Sequence, residues 1–283
     1  MPARAVLALA CAVTAVTVAS CTSHSTPAAA HAPAPPSPAA PARFSTPSSA
    51  AAPTPSASTS HRRTASARPT PTPTRRAPAL RGVALPLRYD TGSARQVITV
   101  VAAAEADTQG TVQAWRRVPG GWRRVGPSVP AYLGSDGMTP YPSESRSAVP
   151  MGSFTLTHAF GRFADPGTAL PYRQTTPADW WVSESGPDYN TEQHCAYGCP
   201  FTQGAPNEHL YYEVPYYDYA VVIDYNTRNS PTGVRQGAGS AFFLHVAVGA
   251  PTQGCVAIPA DQLVRLLRWL TPAEHPRIVI GTS

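Results

Sequence analysis

Two side chains near the end of the sequence, His245 and Cys255, carry the chemistry of covalent catalysis. A thiolate is a nucleophile, and an imidazole within reach takes the thiol proton or holds the resulting ion pair. They lie in Phe242-Phe243-Leu244-His245-Val246-Ala247-Val248-Gly249-Ala250-Pro251-Thr252-Gln253-Gly254-Cys255-Val256-Ala257-Ile258. That order reads as an apolar strand ending in a histidine, a turn containing Gly and Pro, and a second apolar strand opened by Cys255. Gly254 permits a tight turn and close approach of a substrate. Acyl transfer also needs donors for an oxyanion, and the backbone N–H groups of Gly254 and Cys255 are candidates. The same residues also read as a buried free cysteine beside a core histidine, because lone cysteines are commonly packing residues.

At these residues the sequence resembles the active-site segment of the L,D-transpeptidase (YkuD-like) family, in its exported actinobacterial branch. Members carry His-Gly, a variable loop, and then Ser/Thr-x-Gly-Cys-Ile/Val-Arg. Thr252-Gln253-Gly254-Cys255-Val256 matches the second half, and His245 matches the histidine. The resemblance implies that Cys255 is the nucleophile and His245 the base. It further implies that the backbone carbonyl of Val246 orients the imidazole, that the Gly254 N–H serves the oxyanion, and that Thr252 and Gln253 lie beside the substrate. There are departures. Val246 replaces the usual Gly, Gln253 stands where many members have a second His, Ala257 replaces the common Arg, and the loop is short. Upstream, Val149-Pro150-Met151-Gly152-Ser153-Phe154 is similar to the family's Thr-Pro-x-Gly-x-Phe/Tyr segment, and Leu170–Arg173 and Trp180–Asn190 add to the likeness.

The fold implied is mostly β, a β-sandwich-like catalytic domain with one clear helix near the C-terminus. The activity implied is that of a cysteine L,D-transpeptidase forming 3→3 peptidoglycan cross-links through a thioester. Its partners would be peptidoglycan stem peptides; no metal or organic cofactor would be required, and carbapenems would inhibit it. Water in place of the second stem would make it an L,D-carboxypeptidase. The absent Arg and short loop also suit a non-catalytic wall-binding module of the same fold, and a secreted peptidase of other substrates is a further alternative.

The elements that must position these residues are mostly strands. Gln96–Ala102 is rich in β-branched residues. Thr111–Arg117 and Trp122–Val125 flank Pro119-Gly120-Gly121 and read as a hairpin. A strand from Pro150 is expected to run on to Gly161, and another spans Tyr219–Asn226, leaving Asp224 at a turn. Trp181 reads equally as core or as groove lining. Pro259 followed by Leu263, Leu266, Leu267 and Leu270 predicts a helix, and Arg277–Gly281 a final strand. Frequent turns and one good helix fit a single domain over residues 81–283.

Residues 1–21 read as a signal peptide. Arg4 precedes an apolar run, and Val18-Ala19-Ser20-Cys21 resembles a lipoprotein processing site in which Cys21 carries the lipid. An ordinary signal cut nearby is the alternative. Residues 22–80 are rich in Pro, Ala, Ser and Thr and lack an apolar face, so they read as a disordered spacer or a glycosylated stalk. Together these predict an exported chain held to the membrane by a lipid anchor and facing the wall.

The chain has 22 arginines, no lysine and 16 acidic residues. Eight arginines lie at Arg81 or earlier and every acid at Asp90 or later, so the later region has a balance of −2. The tail arginines read first as part of a solvated linker, with contact to anionic lipid or wall polymer as the alternative. The later region shows no basic aromatic face, so no nucleic-acid partner is expected. Of the remaining cysteines, Cys195 and Cys199 are spaced for a small-loop disulfide, or for half of a metal site with His194 or His209. Cys255 is left without a partner, which in an oxidising compartment calls for use or burial.

Overall fold

The computed structural model of the protein describes residues 81–283. The expectations for Cys21, the signal peptide and the 22–80 spacer lie outside the described residues. In chain order the elements are β1 (Gln96–Ala102), β2 (Gln109–Val118), β3 (Gly121–Tyr132), β4 (Met138–Thr139), β5 (Val149–Pro150), β6 (Gly152–Thr155), β7 (Ala159–Gly161) and β8 (Tyr172–Gln174). There follow β9 (Asp179–Val182), β10 (Thr191–His194), β11 (Glu208–His209), β12 (Ala220–Val222), β13 (Phe243–Val246), β14 (Val256–Ile258), α1 (Ala260–Trp269) and β15 (Arg277–Thr282).

The fold is mostly β with one α-helix among the described residues. Ten strands form a single sheet in the order β6-β15-β1-β2-β3-β14-β13-β12-β7-β8. Although β6 and β7 lie near opposite ends of that order, only residues 156–158 separate them. The sheet must therefore curl until its ends meet. Backbone bonds close the gap, from Asp224 N–H to the Thr155 carbonyl and from Val222 N–H to the His158 carbonyl, both at 3.1 Å. The continuous strand expected from Pro150 to Gly161 is thus two strands. Its first half pairs with β15 and its second with β12, so the chain must turn between them. The strand expected over Tyr219–Asn226 keeps ladder geometry only at Ala220–Val222, because Asp224 turns to bond Thr155, Thr227 and Asn229.

Alternation along the strands sorts the side chains onto two faces. Ile98 and Val100 of β1, Leu244 and Val246 of β13, and Val256 and Ile258 of β14 point to the main core. Helix α1 begins after Pro259 and adds Leu263 and Leu267 to that core, with Leu270 just beyond its end. A ten-residue helix is marginal alone. Each buried leucine stabilises it by roughly 1.5–3 kcal/mol. The opposite face of β12 and β13 carries a second cluster that includes Phe160, Trp181, Phe243 and Cys255.

The β2–β3 hairpin turns at Pro119-Gly120, where Gly120 takes a φ of +79° that favours glycine. Pairing sets Arg117 opposite Trp122 and Arg124 opposite Trp115. The guanidinium carbons lie 4.6 Å and 5.4 Å from the ring centroids. A layer of arginine over two buried indoles therefore forms across the hairpin. It is assembled from alternate residues of two strands and is not visible in either strand alone.

Candidate active site

Strands β13 and β14 run parallel, with Leu244 opposite Val256 and His245 opposite Ala257. One step back along each strand, the Phe243 N–H donates to Cys255 Sγ at 3.3 Å. Cys255 therefore sits beside Phe243, and His245 lies two residues farther along the same face. Strand alternation places both functional groups on the face opposite the main core, about 7 Å apart along the strand. Both line one cleft of about 890 Å³.

The loop between them is pinned to the end of β3. The Thr252 N–H donates to the Leu133 carbonyl and the Ser135 N–H to the Thr252 carbonyl, each at 2.8 Å. The Thr252 hydroxyl donates to the Cys255 carbonyl at 2.7 Å and accepts from the Gly254 N–H at 3.2 Å. Thr252 thus clamps the turn that presents the sulfur. The Gly254 N–H, expected as an oxyanion donor, is held by that hydroxyl. Gln253 is exposed and lines the cleft. Gly254 has φ +121°, outside the range comfortable for other residues.

His245 Nδ1 lies 2.9 Å from the Val246 carbonyl oxygen. A carbonyl only accepts, so Nδ1 carries the hydrogen and Nε2 is left as the basic nitrogen. Burial pulls the imidazole pKa down to about 4, only partly opposed by the Val246 bond. The ring is enclosed by the edges of Tyr216 and Tyr217, with centroids 5.8 Å and 5.7 Å away. Ala257, where the resembling family has Arg, is buried directly opposite His245.

The sulfur is buried, with Cys255 only 7% exposed. Its S–H donates to the Ala241 carbonyl at 3.3 Å. Burial pushes the thiol pKa well up, the Glu208 carboxylate adds to the rise, and the Phe243 N–H opposes it. The resting pair is therefore a neutral thiol and a neutral imidazole.

Glu208 and Tyr217 were not singled out by sequence. Tyr217 donates its phenol hydrogen to Glu208. Burial raises the Glu208 pKa to about 7; the Tyr217 bond works against this, and Glu213 and Glu144 add to it. Glu208 arrives on β11, which with β9 and β10 forms a three-stranded antiparallel sheet. That sheet also supplies Trp180 and His209 to the cleft, their rings stacked at 3.9 Å. Trp181, its neighbour, points the other way into the core, where its indole N–H donates to Asn190 at 2.9 Å. The sequence signals for this wall are the aromatics of Trp180–Asn190 and the Tyr-rich segment after Glu208.

Cys195 and Cys199 form a disulfide that joins the Trp180, Val182 and Phe201 cluster under the same sheet. Their sulfurs are thereby removed as metal ligands. His194 instead bonds Asp179 at 2.7 Å, and His209 Nε2 donates to the Pro177 carbonyl at 2.7 Å. Among the described residues no group of three or more His, Cys, Asp or Glu is arranged to hold a metal ion. No protein-family model, curated protein or solved structure matches the chain.

Proposed function

We propose that the protein is a cysteine acyltransferase of the L,D-transpeptidase type, acting on peptidoglycan stem peptides. The observation that carries this reading is the placement of Cys255 and His245 on one face of adjacent parallel strands, both lining one cleft. The fixed Nδ1–Val246 contact supports it, because it reserves Nε2 for proton transfer.

In this reading the thiol leaves the Ala241 carbonyl and gives its proton to His245 Nε2 as sulfur attacks the stem carbonyl. The oxyanion is received by the Cys255 N–H, since the Gly254 N–H is engaged by Thr252. The tetrahedral adduct collapses, His245 protonates the departing D-alanine amine, and a thioester remains. The amine of a second stem attacks it, His245 takes that proton, and the thiol is regenerated. Because the resting pair is neutral, His245 works as a general base rather than as half of a standing ion pair.

The test is intact mass after incubation with a carbapenem. One adduct on the wild-type chain, absent from Cys255→Ala, supports the reading. No adduct, with stem-peptide products unchanged between the two chains, overturns it. A non-catalytic wall-binding module is favoured by one observation, the buried and hydrogen-bonded sulfur. Under that reading Cys255→Ala binds wall fragments as wild type does and neither chain turns over stems.

A further inference from the structure

We propose that the turn end of the β2–β3 hairpin is a docking surface for an anionic phospholipid bilayer. Residues Arg81, Val83, Ala84, Pro86, Arg123 and Arg124 border a shallow groove there of about 490 Å³, floored by Trp115 and Trp122. The segment from Arg81 is held to the hairpin by reciprocal backbone bonds between Val83 and Trp122, both 2.8 Å.

The charge there is unneutralised. Among the described residues, none of Arg81, Arg116, Arg123 and Arg124 has a carboxylate within ion-pair distance. Arg116 and Arg123 even stand directly opposite one another in the ladder, a like-charge pairing that costs stability. The region from residue 82 onward has a net balance of −2, so this cationic end is a local departure from the rest. Arg117 differs, since its guanidinium is tied to the Ala94 carbonyl at 2.8 Å and closes the neighbouring loop.

Exposed guanidinium groups bind phosphate through paired N–H donors. The two indoles are only 4% and 8% exposed, so neither offers a face on which a base or sugar could stack. What the groove does expose is aliphatic: Val83 is 56% exposed, beside exposed Ala84 and Pro86. An apolar lip between cationic side chains fits a bilayer interface, where phosphate and hydrocarbon lie a few ångströms apart. Position fits as well. Tyr132 at the far end of β3 pairs with Ala257, about 30 Å along the strand from Trp122. A bilayer met by the turn end leaves the Cys255 cleft open. The sequence just before Arg81 adds Arg62, Arg63, Arg68, Arg75 and Arg76.

The test is co-sedimentation of the full chain with vesicles, in a Cys21→Ser background so that no acyl chain carries the binding. Parent and Arg81→Gln/Arg123→Gln/Arg124→Gln chains are compared on phosphatidylglycerol and on phosphatidylcholine vesicles. Each arginine near an anionic surface is worth about five-fold, so the triple variant should partition roughly 100-fold less onto phosphatidylglycerol, with no change on phosphatidylcholine. The corresponding triple Lys variant should retain most binding and, with the thermal midpoint of each chain, separates lost charge from lost folding. Equal partitioning of parent and Gln variant overturns the proposal. So does preferential binding of the groove to soluble poly(glycerol phosphate) or to single-stranded DNA at the same phosphate concentration.

Discussion

The S–H of Cys255 donates to the carbonyl oxygen of Ala241 at 3.3 Å, not to the imidazole of His245. That single bond defines the resting site. It satisfies the sulfur inside a buried cluster and keeps it protonated, while the Val246 carbonyl fixes the imidazole through Nδ1 and leaves Nε2 without a hydrogen. Under the proposed function, activation requires the sulfur to exchange one partner for the other.

Thiol reactivity should follow this arrangement. Alkylation of Cys255 by iodoacetamide should be slow and flat through neutral pH and should accelerate only in the alkaline range, because burial first and the Glu208 carboxylate second hold the thiol protonated. Glu208→Gln removes the second cause and should move the rise to lower pH. A wild-type rate already at its plateau at pH 7 would contradict the neutral resting pair.

Stability should carry two opposed pH dependences. The Glu208 pKa rises on folding from 4.5 to about 7, so its contribution is fully present below 4.5 and is lost as pH climbs through 7. The His245 pKa falls on folding from 6.5 to about 4, so its contribution is present above 6.5 and is lost as pH drops through 4. Between about 4.5 and 6.5 the two slopes oppose each other. Thermal melts of Glu208→Gln should therefore show stability rising with pH across this window, and those of His245→Gln should show it falling. Parallel curves for both variants would refute the assignment.

Gly254→Ala should be costly at a chosen point. A Cβ there would lie 3.0 Å from the Phe242 ring and 3.3 Å from the Ala148 carbonyl oxygen, on a backbone with φ +121°. Denaturant unfolding should show a loss of about 1–3 kcal/mol. Under the proposed function, carbapenem adduct formation should fall more steeply than stability, since the strained residue immediately precedes the sulfur.

The disulfide should stabilise the cleft wall without touching the chemistry. Closing so short a loop is worth about 2 kcal/mol in chain entropy. Cys195→Ser/Cys199→Ser should lose about that much in denaturant unfolding and keep its Cys255 alkylation profile. An altered profile would mean that the Trp180 sheet sets the thiol environment directly.

Elements whose signal is local were legible in advance. The β-branched run of β1, the hairpin about Pro119-Gly120 and the leucine stripe of α1 follow from propensity, turn geometry and period. Boundaries were less legible where pairing decides them. Residues 152–161 look like one strand because nothing in the chain marks Leu156–His158 as a crossing between the two ends of a curled sheet.

The sequence by itself determined the chemical inventory: a cysteine, Cys255, set apart from the closely spaced Cys195 and Cys199, a histidine at a strand end before it, and a glycine directly preceding it. Tertiary structure alone decided that thiol and imidazole share a face, and that the thiol rests on Ala241. It also decided that Glu208 and Tyr217, which arrive from other elements, set the field around them. The physical reason is that residue type fixes what a group is able to do. Protonation state and partner depend on burial and on neighbours brought in from distant parts of the chain, and no local pattern encodes these.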